Sequence, residues 1–139
     1  MFKKFYLDTS IWRDYFEDRK DNIKPLGEFA FQFLKNCEKT GCQVLYSGLV
    51  VQELKEHYSR ERISEVFSSF KHFLEEVPIS KEQISEAKKI SLTVKESHLK
   101  DIMHAILARD YGAIMITRDK HFDSLSGLVE VFKPEEVHF

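Results

Sequence analysis

Residues 114–123 read IMITRDKHFD, an apolar start followed by a crowded run of charged side chains. The first part, residues 114–117, has the length and composition of a buried β-strand. Near the other end of the chain, residues 4–12 read KFYLDTSIW, and a short apolar run there leads directly into Asp8. A carboxylate therefore follows each predicted strand, Asp8 in one case and Asp119 in the other.

Short apolar strands alternate with helical patterns along the chain. The predicted strands are 4–8, 42–47, 113–117, a last strand in 129–134, and a Pro-containing segment at 75–80 that suits the edge of a sheet. The predicted helices run from a Thr9 or Ser10 cap through Phe16, and over 25–39, 49–59, 61–75, 80–95 and 101–112. This alternation favours an α/β fold with three layers, α/β/α, a central, mainly parallel sheet, and a single domain over residues 1–139.

The composition indicates a globular chain, with 42% hydrophobic residues, 32% charged residues and a formal net charge of −2. The apolar stretches fall short of the roughly 18 residues that a membrane span needs, so no membrane partner is expected. Cys37 and Cys42 do not form a CxxC pair, which favours a reducing, cytoplasmic location. The small net charge still allows a local basic patch beside an acidic pocket.

Four acidic residues fall where an α/β sheet binds ligands, near the carboxyl ends of its strands. Asp8 and Asp119 follow predicted strands. Asp101 begins a predicted helix, and Glu53 interrupts the apolar face of another. Two unit charges about 4 Å apart repel by roughly 4 kcal/mol at an effective dielectric constant of about 20, and a divalent cation offsets that repulsion. Because oxygen ligands select Mg²⁺ or Mn²⁺, the sequence predicts a site for one or two of these ions.

Each of these acids also has a structural interpretation. Asp8 and Asp101 stand where a helix N-cap is expected, since Asp is a good capping residue. Glu53 could extend from a half-buried helix to solvent, and Asp119 could be a turn residue. His104 lies one turn after Asp101 on an apolar helix face, so a histidine packed in the core or next to the site is the better interpretation of it.

Four segments resemble, in order, the acidic motifs of PIN-domain ribonucleases: YLDTSIW at 6–12, VVQEL at 50–54, LKDIMHAILA at 99–108 and ITRDKHF at 116–122. The resemblance covers nearly the whole chain and is to the small single-domain form, like the toxins of VapBC toxin–antitoxin pairs. It implies a PIN-like fold. It also implies that the catalytic, metal-binding residues are Asp8, Glu53, Asp101 and Asp119.

One position departs from the pattern of the family, in which the residue two after Asp119 is often acidic. Here that residue is His121, so the fifth carboxylate is either absent or displaced to Asp123, which leaves a second metal in doubt. Ser10 and Thr117 are further candidates, as supporting hydroxyls rather than nucleophiles. Near the same edge, His121 is a candidate for touching substrate. A phosphate contact is the role considered for Arg118.

The resemblance implies a metal-dependent endoribonuclease that hydrolyses RNA with Mg²⁺ or Mn²⁺, as the toxin of a type II toxin–antitoxin pair. It further implies an antitoxin partner and a homodimer, for which an apolar stripe in 61–75 could supply a surface. The alternative is a non-catalytic protein- or RNA-binding module on the same fold, which the same Phe-rich stripe favours. Aspartate phosphotransfer and P-loop hydrolysis fit less well, because DTSIW is not D-x-D-x-T and GxxxxGK[ST] does not occur.

Overall fold

The computed structural model describes residues 3–95 and 98–139, so residues 1–2 and 96–97 of the predicted domain lie outside the described part. This part contains β1 (Lys4–Leu7), β2 (Gln43–Ser47), β3 (Leu74–Val77), β4 (Ile114–Ile116) and β5 (Val131–Phe132). The strands form one sheet in the order β3-β2-β1-β4-β5, and all neighbouring pairs are parallel. The predicted parallel sheet is confirmed, and the segment predicted at its edge contributes the edge strand β3.

The helices are α1 (Thr9–Glu17), α2 (Leu26–Thr40), α3 (Gly48–Lys55), α4 (Arg60–Ser68), α5 (Lys81–Ser91) and α6 (Leu99–Asp110), with short 3-10 helices at Lys120–Leu125 and Pro134–Glu136. The first four helices pack as one group, and α5 packs on α6 as another, which agrees with the predicted three layers. From β1 the chain adds β2 and β3 on one side and β4 and β5 on the other. Ligands of α/β sheets bind at such a switch point, and Asp8 and Asp119 follow the two strands that flank it.

Helix α4 is shorter than the predicted 61–75, because it ends at Ser68. A turn follows, and Leu74 already begins β3. The carbonyl of Phe73 accepts a hydrogen bond from the Val44 N–H at 2.9 Å, so the backbone at Phe73 already pairs with β2. The apolar side chains keep a helix-like spacing beyond the helix because they pack on the same core. The periodicity alone therefore overestimates the length of α4.

Two other helices end four residues before their predicted ends. Helix α3 stops at Lys55, because Ser59 belongs to the next helix, whose first turn it caps with its side chain. Helix α5 opens with the predicted capping box of Ser80 and Gln83. It stops at Ser91, whose hydroxyl bonds back to the carbonyl three residues earlier at 2.6 Å, a contact that competes with further helical hydrogen bonds.

The aromatic stripe predicted in 61–75 packs into the core. Its members that are only 5–9% exposed are Ile63, Val66, Phe67, Phe70 and Phe73. The ring of Phe67 lies 4.7 Å from that of Trp12, centroid to centroid. The stripe therefore does not supply the outward apolar patch on which the dimer prediction depended. Across residues 3–95 and 98–139, each helix is too short or too polar to cross a membrane.

Candidate metal centre

Asp8 lies at the end of β1, and its carboxylate is held by two hydroxyl groups. Its N–H donates to the Ile116 carbonyl at 2.9 Å, which fixes the residue beside β4. Its Oδ2 accepts hydrogen bonds from Ser10 Oγ at 2.7 Å and from Thr117 Oγ1 at 2.9 Å. Asp8 occupies the N-cap position of α1, where Thr9 or Ser10 was predicted, but its side chain turns to these hydroxyls. Capping therefore does not account for the carboxylate, which is 6% exposed.

Thr117 connects Asp8 to Asp119. The Thr117 hydroxyl donates to Asp8 and accepts from the Asp119 N–H at 3.0 Å. The Asp119 Oδ1 accepts in turn from the N–H of His121 at 2.9 Å, at the start of a 3-10 helix. Asp119 is thus an N-cap residue as well as a member of the acidic group. The supporting role predicted for the hydroxyls of Ser10 and Thr117 agrees with these contacts.

Asp101 lies in the first turn of α6, and its Oδ2 accepts a hydrogen bond from the His98 N–H at 3.2 Å. This bond makes Asp101 part of the helix cap at the third helical position rather than at the predicted first one. Burial raises the pKa of the Asp101 carboxyl, the hydrogen bond from His98 opposes that shift, and the charges of Asp119 and Asp8 add to it. The three aspartates are thus close enough for their charges to interact.

The side chains of Asp101, Asp119 and His121 form a group in which one ligand atom of each lies within 4.8 Å of the others. His121 Nδ1 is 3.2 Å from Asp119 Oδ1 and 4.0 Å from Asp101 Oδ2. The histidine that replaces the usual acid of the family therefore lies inside the acidic group. In its protonated form it would offset part of the repulsion between the two carboxylates.

Glu53 reaches the same edge of the sheet from α3. Its Oε1 accepts hydrogen bonds from Thr9 Oγ1 at 2.8 Å and His104 Nε2 at 2.7 Å. Burial raises the pKa of Glu53, but the hydrogen bond and charge of His104, together with the bond from Thr9, outweigh this effect and lower the pKa below its ordinary value. Glu53 is therefore fixed in the charged form that a metal ligand requires, rather than extended freely to solvent.

His104 is 1% exposed, as expected for a histidine packed in the core, and it links Glu53 to β1 and β2. Its Nδ1 lies 2.7 Å from the Tyr6 hydroxyl, which lies 2.8 Å from Ser47 Oγ. The sequence interpretation missed the hydrogen bonds of Tyr6 and Ser47 and treated Thr9 only as a candidate helix cap. The available signal was their position, because all three lie within one or two residues of a predicted strand end.

The donor set fits a divalent cation. Asp8 and Glu53 raise the pKa of Tyr6 by their charges, after the larger effect of burial, so they also share one electrostatic environment. Thr9, which follows Asp8, hydrogen-bonds to Glu53 at 2.8 Å, so these two acids lie near each other. The group with ligand atoms within 4.8 Å of one another comprises Asp101, Asp119 and His121 and does not include Asp8 or Glu53. Crowded carboxylate oxygens are the ligands that Mg²⁺ and Mn²⁺ prefer. Burial, and to a smaller extent the charges of Asp119 and Asp8, raise the pKa of Asp101, and a cation would offset the part that these charges cause.

Arg118 and Asp123 lie beside this group. The Arg118 guanidinium donates to both oxygens of Glu135 at 2.8 and 2.6 Å, and its Nε lies 3.6 Å from Asp14 Oδ2. A phosphate contact by Arg118 would therefore compete with an ion-pair network that ties the C-terminal segment to α1. Asp123 is exposed and lines a neighbouring cavity of about 280 Å³ together with Asp119.

Comparison with known proteins adds the following. The family model of the PIN domain matches residues 5–128. No curated protein sequence matches the chain. The fold is similar to that in VapBC2 from Rickettsia felis bound to a promoter DNA fragment, with a TM-score of 0.69, 15% identity, and coverage of 94% of this chain and 98% of that chain.

Two further solved structures have the same fold. One is a toxin–antitoxin complex from Klebsiella pneumoniae, with a TM-score of 0.66, 21% identity, and coverage of 93% of this chain and 96% of that one. The other is FitAcB from Neisseria gonorrhoeae, with a TM-score of 0.63, 16% identity, and coverage of 96% and 99%. At these identities the similarity shows the fold, and the family match covers most of the chain.

Proposed function

This chain belongs to the PIN domain family, and on that premise we propose that it is a metal-dependent endoribonuclease that hydrolyses RNA phosphodiester bonds. PIN domains are in general nucleases that use divalent metals. The observation that carries the proposal is the grouping of Asp8, Glu53, Asp101 and Asp119 at the switch point of the sheet, where the charges of its neighbours help to raise the pKa of Asp101. Purely structural acids are seldom arranged so that they repel one another.

In this proposal the four acids hold Mg²⁺ or Mn²⁺. Asp101 and Asp119 already have ligand atoms within 4.8 Å of each other and of His121, and the proposal adds Asp8 and Glu53 to that group. When bound, the ion would supply an activated water and neutralise the charge that develops on the phosphate. The chain's own groups orient the ligands: Ser10 and Thr117 hold Asp8, and Thr9 and His104 hold Glu53. Without a cation, the acidic group would repel the phosphates of RNA.

The cavity beside Asp119 offers cationic groups for the RNA backbone. Lys120 and Lys133 line it, and both are exposed. We assign phosphate contacts to these lysines rather than to Arg118, since the guanidinium of Arg118 is already paired with Glu135. Contacts of this kind would strengthen RNA binding with little dependence on base sequence.

We further propose that the chain is the toxin of a type II toxin–antitoxin pair with an antitoxin as partner, in the cytoplasm, where Cys37 and Cys42 would stay reduced. The support is that the similar structures are described as VapBC2, FitAcB and a toxin–antitoxin complex. A homodimer rests on the family resemblance alone, because the aromatic stripe is buried. Light scattering that gives only a 16.4 kDa species at all concentrations would reject the dimer.

The central experiment is an RNA cleavage assay. The protein should cut RNA with Mn²⁺ or Mg²⁺ and stop in EDTA, and Asp8→Asn or Asp119→Asn should lower the rate by orders of magnitude, because each weakens the site that binds the ion. The double variant should lose little more than either single one, since both act on the same site. Asp123→Asn tests whether that residue replaces the missing acid: a loss as large as that of Asp119→Asn would include it in the site, and nearly wild-type activity would exclude it.

Equal cleavage in EDTA, or full activity in both Asn variants, would overturn the nuclease proposal and favour the non-catalytic binding module. One observation favours a protein-binding surface of some kind. A groove of about 650 Å³ between α3, α4 and β3 is lined by the half-buried side chains of Tyr46 and Val51 and by the basic residues Lys55, Arg60 and Lys71. Such a groove suits an apolar segment with acidic residues.

A further inference from the structure

We propose that His104, supported by Tyr6 and Ser47, is a positioning residue that directs Oε2 of Glu53 toward the metal, an inference that rests on the proposed metal-dependent function. Three contacts of 2.7–2.8 Å join Ser47 Oγ, the Tyr6 hydroxyl, both nitrogens of His104 and Glu53 Oε1. This series of hydrogen bonds runs from Ser47 at the end of β2 through Tyr6 in β1 and His104 in α6 to Glu53 in α3. It therefore couples one carboxylate to three other elements of the fold.

The direction of the last hydrogen bond follows from the chemistry of the two groups. A carboxylate only accepts, so the His104 Nε2 must carry the proton that points at Glu53. In a neutral ring Nδ1 is then the acceptor, so the Tyr6 hydroxyl donates to Nδ1 and can accept from Ser47 Oγ. This arrangement satisfies every partner and leaves the Nε2–H on Glu53.

Both donors to Glu53 act on the same oxygen. Thr9 Oγ1 and His104 Nε2 lie 2.8 and 2.7 Å from Oε1. A glutamate side chain has several rotatable bonds, and fixing one oxygen from two directions removes most of that freedom. The geometry thus assigns Oε1 to the protein and Oε2 to the cation.

Packing alone does not explain a histidine at position 104. Its neighbours along α6, Ile102, Met103, Ala105 and Ile106, are apolar and buried, so a leucine would fit this environment without a polar group. Burying an imidazole is unfavourable unless both nitrogens are hydrogen-bonded, and here both are. Of the two partners of His104, only Glu53 is one of the four acids of the proposed metal site. A role in holding the Glu53 carboxylate therefore explains a histidine here better than packing does.

The test compares His104→Leu, which keeps apolar bulk and removes the donor, with His104→Gln, which keeps an N–H near the position of Nε2. Mn²⁺ affinity is measured by calorimetric titration of each variant, alongside melting of the metal-free protein. His104→Leu should weaken Mn²⁺ binding about 10- to 100-fold, as groups behind metal ligands typically do. His104→Gln should restore most of the affinity. Tyr6→Phe should cause a smaller loss, and it replaces His104→Leu as the test if that variant does not fold.

Two outcomes overturn the inference. One is wild-type Mn²⁺ affinity in a folded His104→Leu or, failing that, in Tyr6→Phe. The other is equal weakening of Mn²⁺ binding by His104→Leu and His104→Gln together with equal lowering of the melting temperature, which would indicate that both variants act by disturbing the packing and not by removing the donor. The proposed function fails separately. If the wild-type protein binds Mn²⁺ without cutting RNA, the nuclease assignment is lost while the affinity comparison still tests the positioning role.

Discussion

The two halves of the acidic group are built differently. Asp8 and Glu53 each accept two hydrogen bonds from side chains, and these donors come from several elements of the fold. Asp101 and Asp119 instead accept from backbone N–H groups in their own first helical turns. The pKa of Glu53 is lowered by His104, against the effect of burial, whereas that of Asp101 is raised by burial and by its neighbours.

This difference shows which half the protein prepares before any ion arrives. The Asp8 and Glu53 half is oriented by hydroxyl and imidazole donors before an ion binds. The Asp101 and Asp119 half contains unrelieved repulsion, which a cation or a protonated His121 would reduce. The second half should therefore respond more strongly to metal and to pH.

The largest effect on stability should come from adding Mn²⁺ to the metal-free protein. An ion that binds only the folded form, at a hundred times its dissociation constant, adds about 2.7 kcal/mol to the free energy of unfolding. Asp119→Asn should remove most of this gain, and the exposed Asp123→Asn should keep it. Thermal melts with and without Mn²⁺ measure both. An unchanged melting temperature of the wild type in millimolar Mn²⁺ would mean that the acids do not form a shared site without substrate.

An intermediate effect is expected from Thr117→Val, which breaks the link between the two halves. The variant leaves the half-buried Asp119 N–H without this acceptor and the buried Asp8 without one donor, so the free energy of unfolding should fall by about 1–3 kcal/mol. Thr93→Val is the matched control, because the exposed Thr93 hydroxyl donates to the Ile90 carbonyl three residues earlier, within a local turn. Urea denaturation compares the two. Equal losses would show that the hydroxyl at position 117 has no special role.

The smallest predicted effect is the dependence of folding stability on pH in the absence of metal. Asp101 and Glu53 should contribute to this dependence with opposite signs. A raised pKa means that folded Asp101 binds protons more tightly than the unfolded chain, so its contribution to stability is lost as pH rises from its ordinary 3.8 through the folded value. The lowered pKa of Glu53 contributes stability above its ordinary 4.5, which is lost as pH falls through the folded value.

At neutral pH in EDTA, Asp101→Asn should therefore raise the melting temperature by about 2–4 °C, equivalent to roughly 1 kcal/mol or less. Glu53→Gln should lower it. Melting curves between pH 3 and 7 would show the two differences from wild type changing in opposite directions. If both variants shift the melting temperature in the same direction at neutral pH, the contrast between the halves is wrong.

Much of the fold was predictable because its signals are local. The apolar strands, the helix predicted over 25–39 and the start of α5 at the capping box of Ser80 and Gln83 each depend on a few neighbouring residues. The end of α4 was not predictable in this way. It depends on the pairing of Phe73 with β2, whose Val44 lies far away in the sequence.

The same distinction between local signals and distant contacts applies to the candidate site. The sequence by itself determined which acids follow the strands and that Asp8, Glu53, Asp101 and Asp119 share one edge, because strand direction and chain order place them there. Their roles as metal ligands remain a proposal. The sequence also showed His121 in place of an expected acid, but not its distance from the aspartates.

Only the tertiary structure decided how each group is held. Thr117 reaches Asp8 across 109 residues of chain, and His104 reaches Glu53 across 51. Arg118 pairs with Glu135 and does not extend freely into the cavity beside Asp119. The aromatic stripe packs in the core and does not form an outward surface for a second protein. The physical reason is that hydrogen bonds and ion pairs form only when two groups are positioned to within a few tenths of an ångström, and the register of distant strands and the packing of helices set those positions. Burial and capping, in contrast, follow from the local pattern of the sequence.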